Sequence, residues 1–214
     1  MSSKHRPAPF VIAILRGITP KEVLGVAEAL VSRGVSGIEI PLNSPDPFVS
    51  IELLQRAFGR DCQCGAGTVT ELEQVERLHA VGGRLLVAPN IDAAVVRRAL
   101  ELGIEPMPGV GSASEAFAAI AAGASKIKLF PASTYGPDHL RALKAVLPAG
   151  VQVCAVGGVD ERNVAHWSRA GVDGYGLGSS LYRPGMTGAQ VAARADAFLA
   201  AIAAHDEDKQ GMRA

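Results

Sequence analysis

The feature that most constrains the fold is a unit repeated along the whole chain. Each unit is a predicted helix that ends at a glycine, followed within a few residues by a short apolar strand. Glycine at this position supplies the left-handed conformation that ends a helix. The predicted strands begin near residues 9, 36, 62, 84, 104, 125, 151 and 173, about 23 residues apart, which fits one βα unit. The glycines are Gly34, Gly82, Gly103, Gly123, Gly150 and Gly171.

Eight successive βα units with no second zone of composition predict a compact α/β fold, the (β/α)8 TIM barrel. We expect residues 1–214 to form this single domain. An open doubly wound sheet is the structural alternative, but eight units favour closure. The first strand, residues 10–15, is continuously apolar, as are parallel strands that are buried on both faces.

The ends of the domain and its first helix carry local signals of their own. We expect Thr19 to cap the first helix and Pro20 to occupy its first position. Polar residues 1–8 precede the barrel, and the last helix is expected over residues 189–204. Residues 205–214 form a charged tail that we expect to be frayed.

The charge balance narrows the class of partner. Lys and Arg number 21 and Asp and Glu also number 21, which argues against nucleic acid or an anionic membrane as a partner. The start of the chain has no apolar core of signal-peptide length, and no later apolar run is long enough for a bilayer. We therefore expect a cytoplasmic protein.

Cysteine and histidine positions bear on metals and disulfides. The odd cysteine count, with Cys62 and Cys64 in one strand-like run and Cys154 apart, favours buried thiols over a disulfide framework. Cys62 and Cys64 as metal ligands is a weaker alternative, because no histidine or acidic cluster accompanies them. Every histidine falls in a tail or a predicted helix, away from the strand ends. With no dinucleotide fingerprint after the first strand, we expect neither a metal nor a cofactor.

The predicted sixth strand, with the sequence KIKLFP over residues 126–131, places charge where a barrel strand is expected to be apolar. Ile127 and Leu129 alternate with the two lysines, so Lys126 and Lys128 share the opposite face. If the aliphatic face packs on helices, Lys128 points into the barrel. A lysine there indicates either a solvated edge strand or a reactive amine.

The second strand shows the same oddity. Ile38 and Ile40 share one parity, which turns Glu39 towards the barrel interior. An inward Glu39 and an inward Lys128 make a polar centre that packing does not require. A buried structural salt bridge is the alternative, but such pairs stabilise less well than apolar replacements. We favour a functional role.

In a TIM barrel the active site lies at the carboxyl ends of the strands, which gives a short set of candidates. Glycine loops follow the last two strands, where backbone N–H groups can approach phosphate oxygens. Arg16 adds a possible charged donor to a phosphate or carboxylate. The residues at these positions are Arg16, Glu39, Thr68, Pro89, Asn90, Lys128, Phe130, Gly157, Gly158, Gly178 and Ser179.

Taken together, six short motifs resemble those of the pyruvate-dependent, Schiff-base (class I) aldolases that cleave 2-keto-3-deoxy-6-phospho sugar acids. The resemblance runs from about residue 12 to residue 182, nearly the whole barrel. The motifs are ILRG at 14–17, EIPLNS at 39–44, GAGT at 65–68, KLFP at 128–131, AVGG at 155–158 and GS at 178–179. Each is short, but the six in this order are highly specific.

The resemblance implies a role for each matching residue. Lys128 would form the Schiff base, and Glu39 would move protons. Arg16 and Thr68 would hold the keto-acid carboxylate end or position the substrate. Gly157, Gly158, Gly178 and Ser179 would hold the phosphate, and Pro89 and Phe130 are further substrate-binding candidates at strand ends. Lys126 does not fall on the lysine of the motif, and we interpret it as a solvated residue at the start of its strand.

The resemblance also implies a substrate and an assembly. Asn43, where the gluconate branch of the family has an arginine nearby, and Val156, rather than threonine, resemble the galactonate branch. The expected substrate is 2-dehydro-3-deoxy-6-phosphogalactonate, with pyruvate and D-glyceraldehyde 3-phosphate as products. The gluconate epimer and 4-hydroxy-2-oxoglutarate are the alternatives. The family implies a homotrimer and no cofactor.

Two functions from other classes also fit the residues. A phosphosugar isomerase or epimerase on the same barrel would use the glycine loops without a neutral Lys128. A non-catalytic phospho-ligand binding protein would use Glu39 and Lys128 merely as a pair. A Schiff-base aldolase differs from both because its lysine must be neutral to attack a carbonyl, and burial lowers a lysine pKa in that direction.

Overall fold

The computed structural model describes the backbone of residues 9–211 and the side chains of residues 9–205. In it, short parallel strands alternate with helices. The strands are β1 (Phe10–Ile14), β2 (Gly37–Pro41), β3 (Gln63–Gly67), β4 (Leu85–Val87), β5 (Glu105–Met107), β6 (Gly109–Val110), β7 (Lys126–Leu129), β8 (Gln152–Val156) and β9 (Gly174–Leu177). The helices are α1 (Val23–Val31), α2 (Pro47–Phe58), α3 (Leu72–Ala80), α4 (Ala93–Glu101), α5 (Ala113–Ala121), α6 (Ala132–Val146), α7 (Val164–Ala170) and α8 (Gly188–Gly211).

The strands form one sheet that closes on itself, which confirms the TIM barrel. Their order is β5-β4-β3-β2-β1-β9-β8-β7-β6, and Pro108 alone separates β5 from β6 in the chain. The N–H of Ala88 donates to the Met107 carbonyl at 3.3 Å, and the N–H of Lys128 donates to the Pro108 carbonyl at 2.9 Å. The predicted fifth strand is thus two segments in one barrel position, because proline has no N–H to continue the ladder.

The helix–glycine–strand repeat arises as predicted, from glycines in the left-handed conformation at the helix ends. Each of the eight barrel positions begins one residue after the expected point, from Phe10 to Gly174. All six helix-ending glycines have a positive φ, between 71° and 104°. Parallel strands and helices therefore alternate as the glycine spacing indicates.

The start of the first helix was predicted wrongly. Helix α1 begins at Val23 with Glu22 at the capping position, not with Thr19 and Pro20. The Thr19 hydroxyl donates to the Glu22 carboxylate at 2.5 Å, so this side chain does not accept the backbone N–H that a capping threonine would accept. Residues 20–22 instead form a turn that leads into the helix.

The end of the last helix also differs from the prediction. Helix α8 continues to Gly211, well beyond the expected end at residue 204. Residues 1–8 and 212–214 lie outside the described residues, and the frayed tail stays a prediction. Within residues 9–211, no helix is both long enough and apolar enough to cross a membrane.

The barrel interior is filled by large side chains that face glycines on neighbouring strands. A cluster inside the barrel contains Ile12, Ile14, Leu85, Val87, Met107, Cys154 and Val156. A Cβ atom on Gly65 would lie 1.8 Å from the Leu85 carbonyl oxygen, and one on Gly176 would lie 2.7 Å from the Val156 side chain. Glycine is therefore required where these strands approach each other closely. All three cysteines are buried and free, as predicted.

This close approach gives a stability prediction. We expect Gly65→Ala to lower the free energy of unfolding by about 1–3 kcal/mol, because the added methyl meets backbone that cannot rotate away. Gly25→Ala is the matched control, since its Cβ meets nothing within 4 Å and alanine favours a helix by about 0.5–1 kcal/mol. Urea unfolding measures both variants. Equal stability of Gly65→Ala and the wild type would contradict the packing described above.

Candidate active site

The candidate residues lie where predicted, along the carboxyl ends of the barrel strands. Glu39 lies within β2 and Lys128 within β7, while the other candidates follow the last residue of their strand by one to three positions. Arg16 follows β1, Thr68 follows β3, Pro89 and Asn90 follow β4, Phe130 follows β7, Gly157 and Gly158 follow β8, and Gly178 and Ser179 follow β9. One end of the barrel thus carries all of them.

Lys128 is a buried amine. Its residue is 5% exposed, and its Nζ atom lies 4.6 Å from the centre of the Phe130 ring. Burial lowers the pKa of Lys128 from 10.5 to about 8, although the charge of Glu39 acts in the opposite direction. The prediction that this lysine points into the barrel is confirmed, and the solvated edge strand is excluded for it.

Glu39 is the buried acid on the other side of the interior. The residue is 3% exposed, and its Oε2 atom accepts no hydrogen bond from any described residue. Burial raises its pKa from 4.5 to about 7, against the lowering effects of Lys128 and Arg16. A Cβ on Gly67 would lie 1.8 Å from Oε2, so the glycine of β3 makes the room that this carboxylate occupies.

The two buried groups influence each other without being bonded. The pKa of each responds to the charge of the other, yet no salt bridge or hydrogen bond joins Glu39 to Lys128 in the described part of the chain. A structural ion pair would need direct contact to offset the cost of removing both charges from water. The salt-bridge alternative therefore does not describe this pair, and both groups stay buried without a direct partner in each other.

Lys126 has a partner, which corrects its interpretation as a solvated residue. Its Nζ atom lies 2.9 Å from the Glu105 carboxylate and 5.2 Å from the centre of the Phe10 ring. Its side chain is 21% exposed. The two lysines of β7 thus occupy different levels of the barrel: Lys126 forms an ion pair near the start of the strands, and Lys128 forms none with the residues whose side chains the structure describes.

Arg16 is held over the site by the loop after β2. Its Nη1 donates to Asn43 Oδ1 at 2.6 Å, and the next backbone N–H, of Gly17, donates to the Ser44 hydroxyl at 2.9 Å. The positive charge of Arg16 lowers the pKa of both Glu39 and Lys128, so Arg16 lies close enough to act electrostatically on the buried pair. In the sequence, Asn43 marks only the epimer branch, and no pattern signals these two contacts.

Thr68 and Pro89 occupy constrained backbone positions. Thr68 has a φ of 61°, a left-handed conformation that is unfavourable for a β-branched residue and that concentrates at functional sites. A Cβ on Gly109 would lie 2.2 Å from the Pro89 carbonyl oxygen, and Gly109 is the residue that pairs with Lys128. The segment after β4 thus lies close to β6, the strand that pairs with the strand carrying the amine.

The glycine loops after β8 and β9 present free backbone donors. Gly157 and Gly158 have φ values of 97° and 77° in succession, a conformation closed to other residues without strain. The N–H groups of Gly157, Gly158, Gly178, Ser179 and Ser180 donate to no described residue. Such a group of donors can bind an anion, phosphate in particular.

In the part of the chain that the structure describes, histidine, cysteine and acidic residues form no cluster of metal-ligand type at this end of the barrel. Among residues 9–205, no three of them lie close enough together to hold a metal ion. The Cys64 thiol instead donates to the Cys62 carbonyl oxygen at 3.6 Å, within a packed strand. Asn90, the other candidate after β4, accepts the Gly109 N–H at 3.2 Å through its backbone carbonyl.

With this geometry, comparison with known proteins shows the family. The sequence profile of the KDPG and KHG aldolases matches residues 2–204. A probable 2-dehydro-3-deoxy-6-phosphogalactonate aldolase of Rhizobium meliloti (strain 1021) is 53% identical over 89% of this chain and 90% of its own length. The 2-dehydro-3-deoxy-6-phosphogalactonate aldolase of Escherichia coli (strain K12) is 48% identical over 89% and 93%, respectively.

A solved structure agrees with the sequence relatives. The structure described as native KDPGal superimposes with a TM-score of 0.90 at 45% identity, covering 97% of this chain and 98% of that chain. The chain belongs to the KDPG and KHG aldolase family. It is an aldolase, a carbon–carbon lyase, as the motifs implied.

The unbonded buried pair gives a second stability prediction. We expect the double variant Lys128→Met/Glu39→Met to be inactive yet more stable than the wild type, by about 1–4 kcal/mol near pH 7.5, because it buries no charge. The gain should shrink below pH 7, where Glu39 becomes protonated in the folded state, and above pH 8, where Lys128 becomes neutral.

Urea unfolding at pH 5.5, 7.5 and 9.5 measures this gain. The control is Lys126→Met/Glu105→Met, which replaces a directly bonded pair of the same barrel and should give a smaller gain. A double variant at positions 39 and 128 that is less stable than the wild type at pH 7.5 would show that the pair stabilises the fold.

Proposed function

We propose that this chain is a class I aldolase that cleaves 2-dehydro-3-deoxy-6-phosphogalactonate to pyruvate and D-glyceraldehyde 3-phosphate through a Schiff base on Lys128. The observation that carries the proposal is the burial of Lys128 opposite Glu39 with no bond between them. The aldolase family and the galactonate aldolases among the relatives support it.

Burial gives Lys128 the state that the first step needs. With a pKa of about 8, roughly a tenth of the amine is neutral at pH 7, a few hundred times more than for a lysine with a pKa of 10.5. The neutral amine attacks the C2 carbonyl of the substrate. Loss of water from the resulting carbinolamine gives a protonated imine, which withdraws electrons from the C3–C4 bond.

Glu39 carries the protons of the later steps. Its carboxylate takes the proton of the C4 hydroxyl, directly or through a water, as the C3–C4 bond breaks and glyceraldehyde 3-phosphate leaves. The electron pair of that bond forms an enamine, which Glu39 then protonates at C3. Hydrolysis of the imine releases pyruvate and restores the amine. A pKa of about 7 suits one carboxyl group for accepting and returning a proton near neutral pH.

The remaining residues at the carboxyl ends of the strands bind the two ends of the substrate. Arg16, fixed by Asn43, and Thr68 bind the keto-acid carboxylate, with Pro89 and Phe130 beside the reacting carbons. The free N–H groups of the loops at Gly157–Gly158 and Gly178–Ser179 bind the phosphate. No step requires a metal or a cofactor, because the iminium is itself the electron sink.

The assembly and the location are part of the same proposal. We infer a homotrimer, as the resemblance implies, and exposed apolar side chains such as Val49, Leu72 and Phe117 are available for its interfaces. Light scattering decides the oligomeric state, and a monomer at micromolar concentration would contradict the trimer. The cytoplasmic location stays a prediction from the sequence.

Covalent trapping tests the Schiff base. Incubation with pyruvate and borohydride is expected to attach one pyruvate-derived group to Lys128, identified by peptide mass spectrometry, since reduction makes the imine permanent. Lys128→Met should lose the adduct completely. Lys126→Met is the matched control on the same strand and should keep it.

The trapping result also separates the other function classes. An isomerase or epimerase would turn over a phosphosugar without forming an adduct, and a binding protein would release no pyruvate from any keto-deoxy phospho acid. An adduct on Lys126, or no adduct, overturns the assignment of Lys128.

A second test addresses the proton carrier. Glu39→Gln should lower kcat by about 10²–10⁴-fold, because it removes the general base but keeps the shape of the side chain. The midpoint of urea unfolding should not fall below that of the wild type, because burying the neutral amide costs less free energy than burying the Glu39 carboxylate. Turnover within threefold of the wild type would assign the proton transfers to another group.

A third test addresses the epimer. We expect kcat/KM for 2-dehydro-3-deoxy-6-phosphogalactonate to exceed that for the gluconate epimer by at least about tenfold, since both galactonate-named relatives approach or exceed half identity. Coupled assays of pyruvate release from both epimers measure the ratio. A preference for the gluconate epimer would show that Asn43 and Val156 do not mark the branch.

A further inference from the structure

Two arginines outside the predicted site converge on one peptide of the proposed phosphate loops. Arg183 lies in the segment after β9, and Arg194 lies on α8. Arg183 Nε and Arg194 Nη1 each donate to the backbone carbonyl oxygen of Ser179 at 3.2 Å. Neither guanidinium pairs with a carboxylate of the described residues. Two like charges at one carbonyl repel each other, and a nearby anion would offset that repulsion.

Fixing this carbonyl also fixes a donor. In a planar trans peptide the C=O and the next N–H point in opposite directions, so the Ser179 carbonyl sets the direction of the Ser180 N–H. That N–H donates to no described residue. The Ser180 hydroxyl donates to the Val159 carbonyl at 2.9 Å, which ties this peptide to the other glycine loop. Hydrogen bonds to a carbonyl polarise its amide and strengthen the N–H as a donor.

The glycine loops themselves carry no cationic side chain. Their donors are neutral backbone N–H groups, whereas a phosphate monoester carries nearly two negative charges at neutral pH. Arg162, a nearby cation on the β8 side, is paired with Asp160. Arg183 and Arg194 therefore supply positive charge that the glycine loops do not have.

We propose that Arg183 and Arg194 are positioning residues for the substrate phosphate, an inference that rests on the proposed function. Together they hold the Ser179 carbonyl away from the phosphate, direct and polarise the Ser180 N–H towards it, and add two positive charges to the loop. They act through this peptide and through their field, not by direct contact with the reacting atoms.

Steady-state kinetics with a matched pair of substrates tests this role. In Arg183→Gln/Arg194→Gln, KM for the phosphorylated keto-deoxy acid should rise about tenfold or more, with kcat changed less than threefold. KM for the same acid without its phosphate should stay within twofold. The double Lys variant keeps the charge and should recover part of the loss. Arg56→Gln, an exposed arginine of α2, is the control and should match the wild type.

Binding of inorganic phosphate, followed by the backbone amide NMR signals, tests the same inference without turnover. Phosphate should shift the Ser180 amide in the wild type, with about tenfold weaker binding in the double Gln variant. An unshifted Ser180 amide, unchanged KM, or equal losses on both acids would overturn the inference. A wild type that releases no pyruvate, but whose Ser180 amide responds to phosphate, would overturn the proposed aldolase activity and leave this phosphate site standing.

Discussion

The site depends on the burial of two oppositely charged side chains, Lys128 and Glu39, that form no bond with each other. Lys128 and Glu39 lie inside the barrel, and burial shifts the pKa of both towards neutral pH, downward for the amine and upward for the acid. A direct salt bridge would favour the charged forms of both groups and so move both pKa values back towards their ordinary range. Burying the two charges without a bond lowers the stability of the folded protein. We interpret the same burial as the cause of the amine's reactivity, because it leaves part of Lys128 neutral and nucleophilic.

The barrel makes this arrangement possible through its glycines. Gly67 leaves room for the Glu39 carboxylate, and Gly109 lets the strand beside Lys128 approach the end of β4. Arg16 acts on the pair from the carboxyl ends of the strands. Asn43 holds the Arg16 guanidinium there, and the charge of Arg16 lowers the pKa of both buried groups. The glycine packing, the charged residues and the unbonded N–H groups of the loops after β8 and β9 thus all lie at the carboxyl ends of the strands, where the active site of a TIM barrel is found.

Sequence periodicity predicted the barrel and the inward parity of Lys128, because glycine caps and strand alternation are local rules. Two local features were not predicted: the break at Pro108, which has no N–H to continue the ladder, and the start of α1 at Val23, where the Thr19 hydroxyl donates to Glu22 instead of capping the helix. The Lys126–Glu105 pair and the convergence of arginines on Ser179 were out of reach for another reason. These contacts depend on the path of the folded loops and on where α8 packs, which local sequence rules do not determine.

Whether burial makes Lys128 partly neutral near physiological pH can be measured directly. NMR titration of lysine side chains labelled with ¹³C at Cε, with Lys128 assigned from the spectrum of Lys128→Met, reports the pKa of this amine in the folded protein. We expect a midpoint near 8 for Lys128. A Lys128 midpoint at the ordinary lysine value of about 10.4 would show that burial does not make this amine a nucleophile near neutral pH.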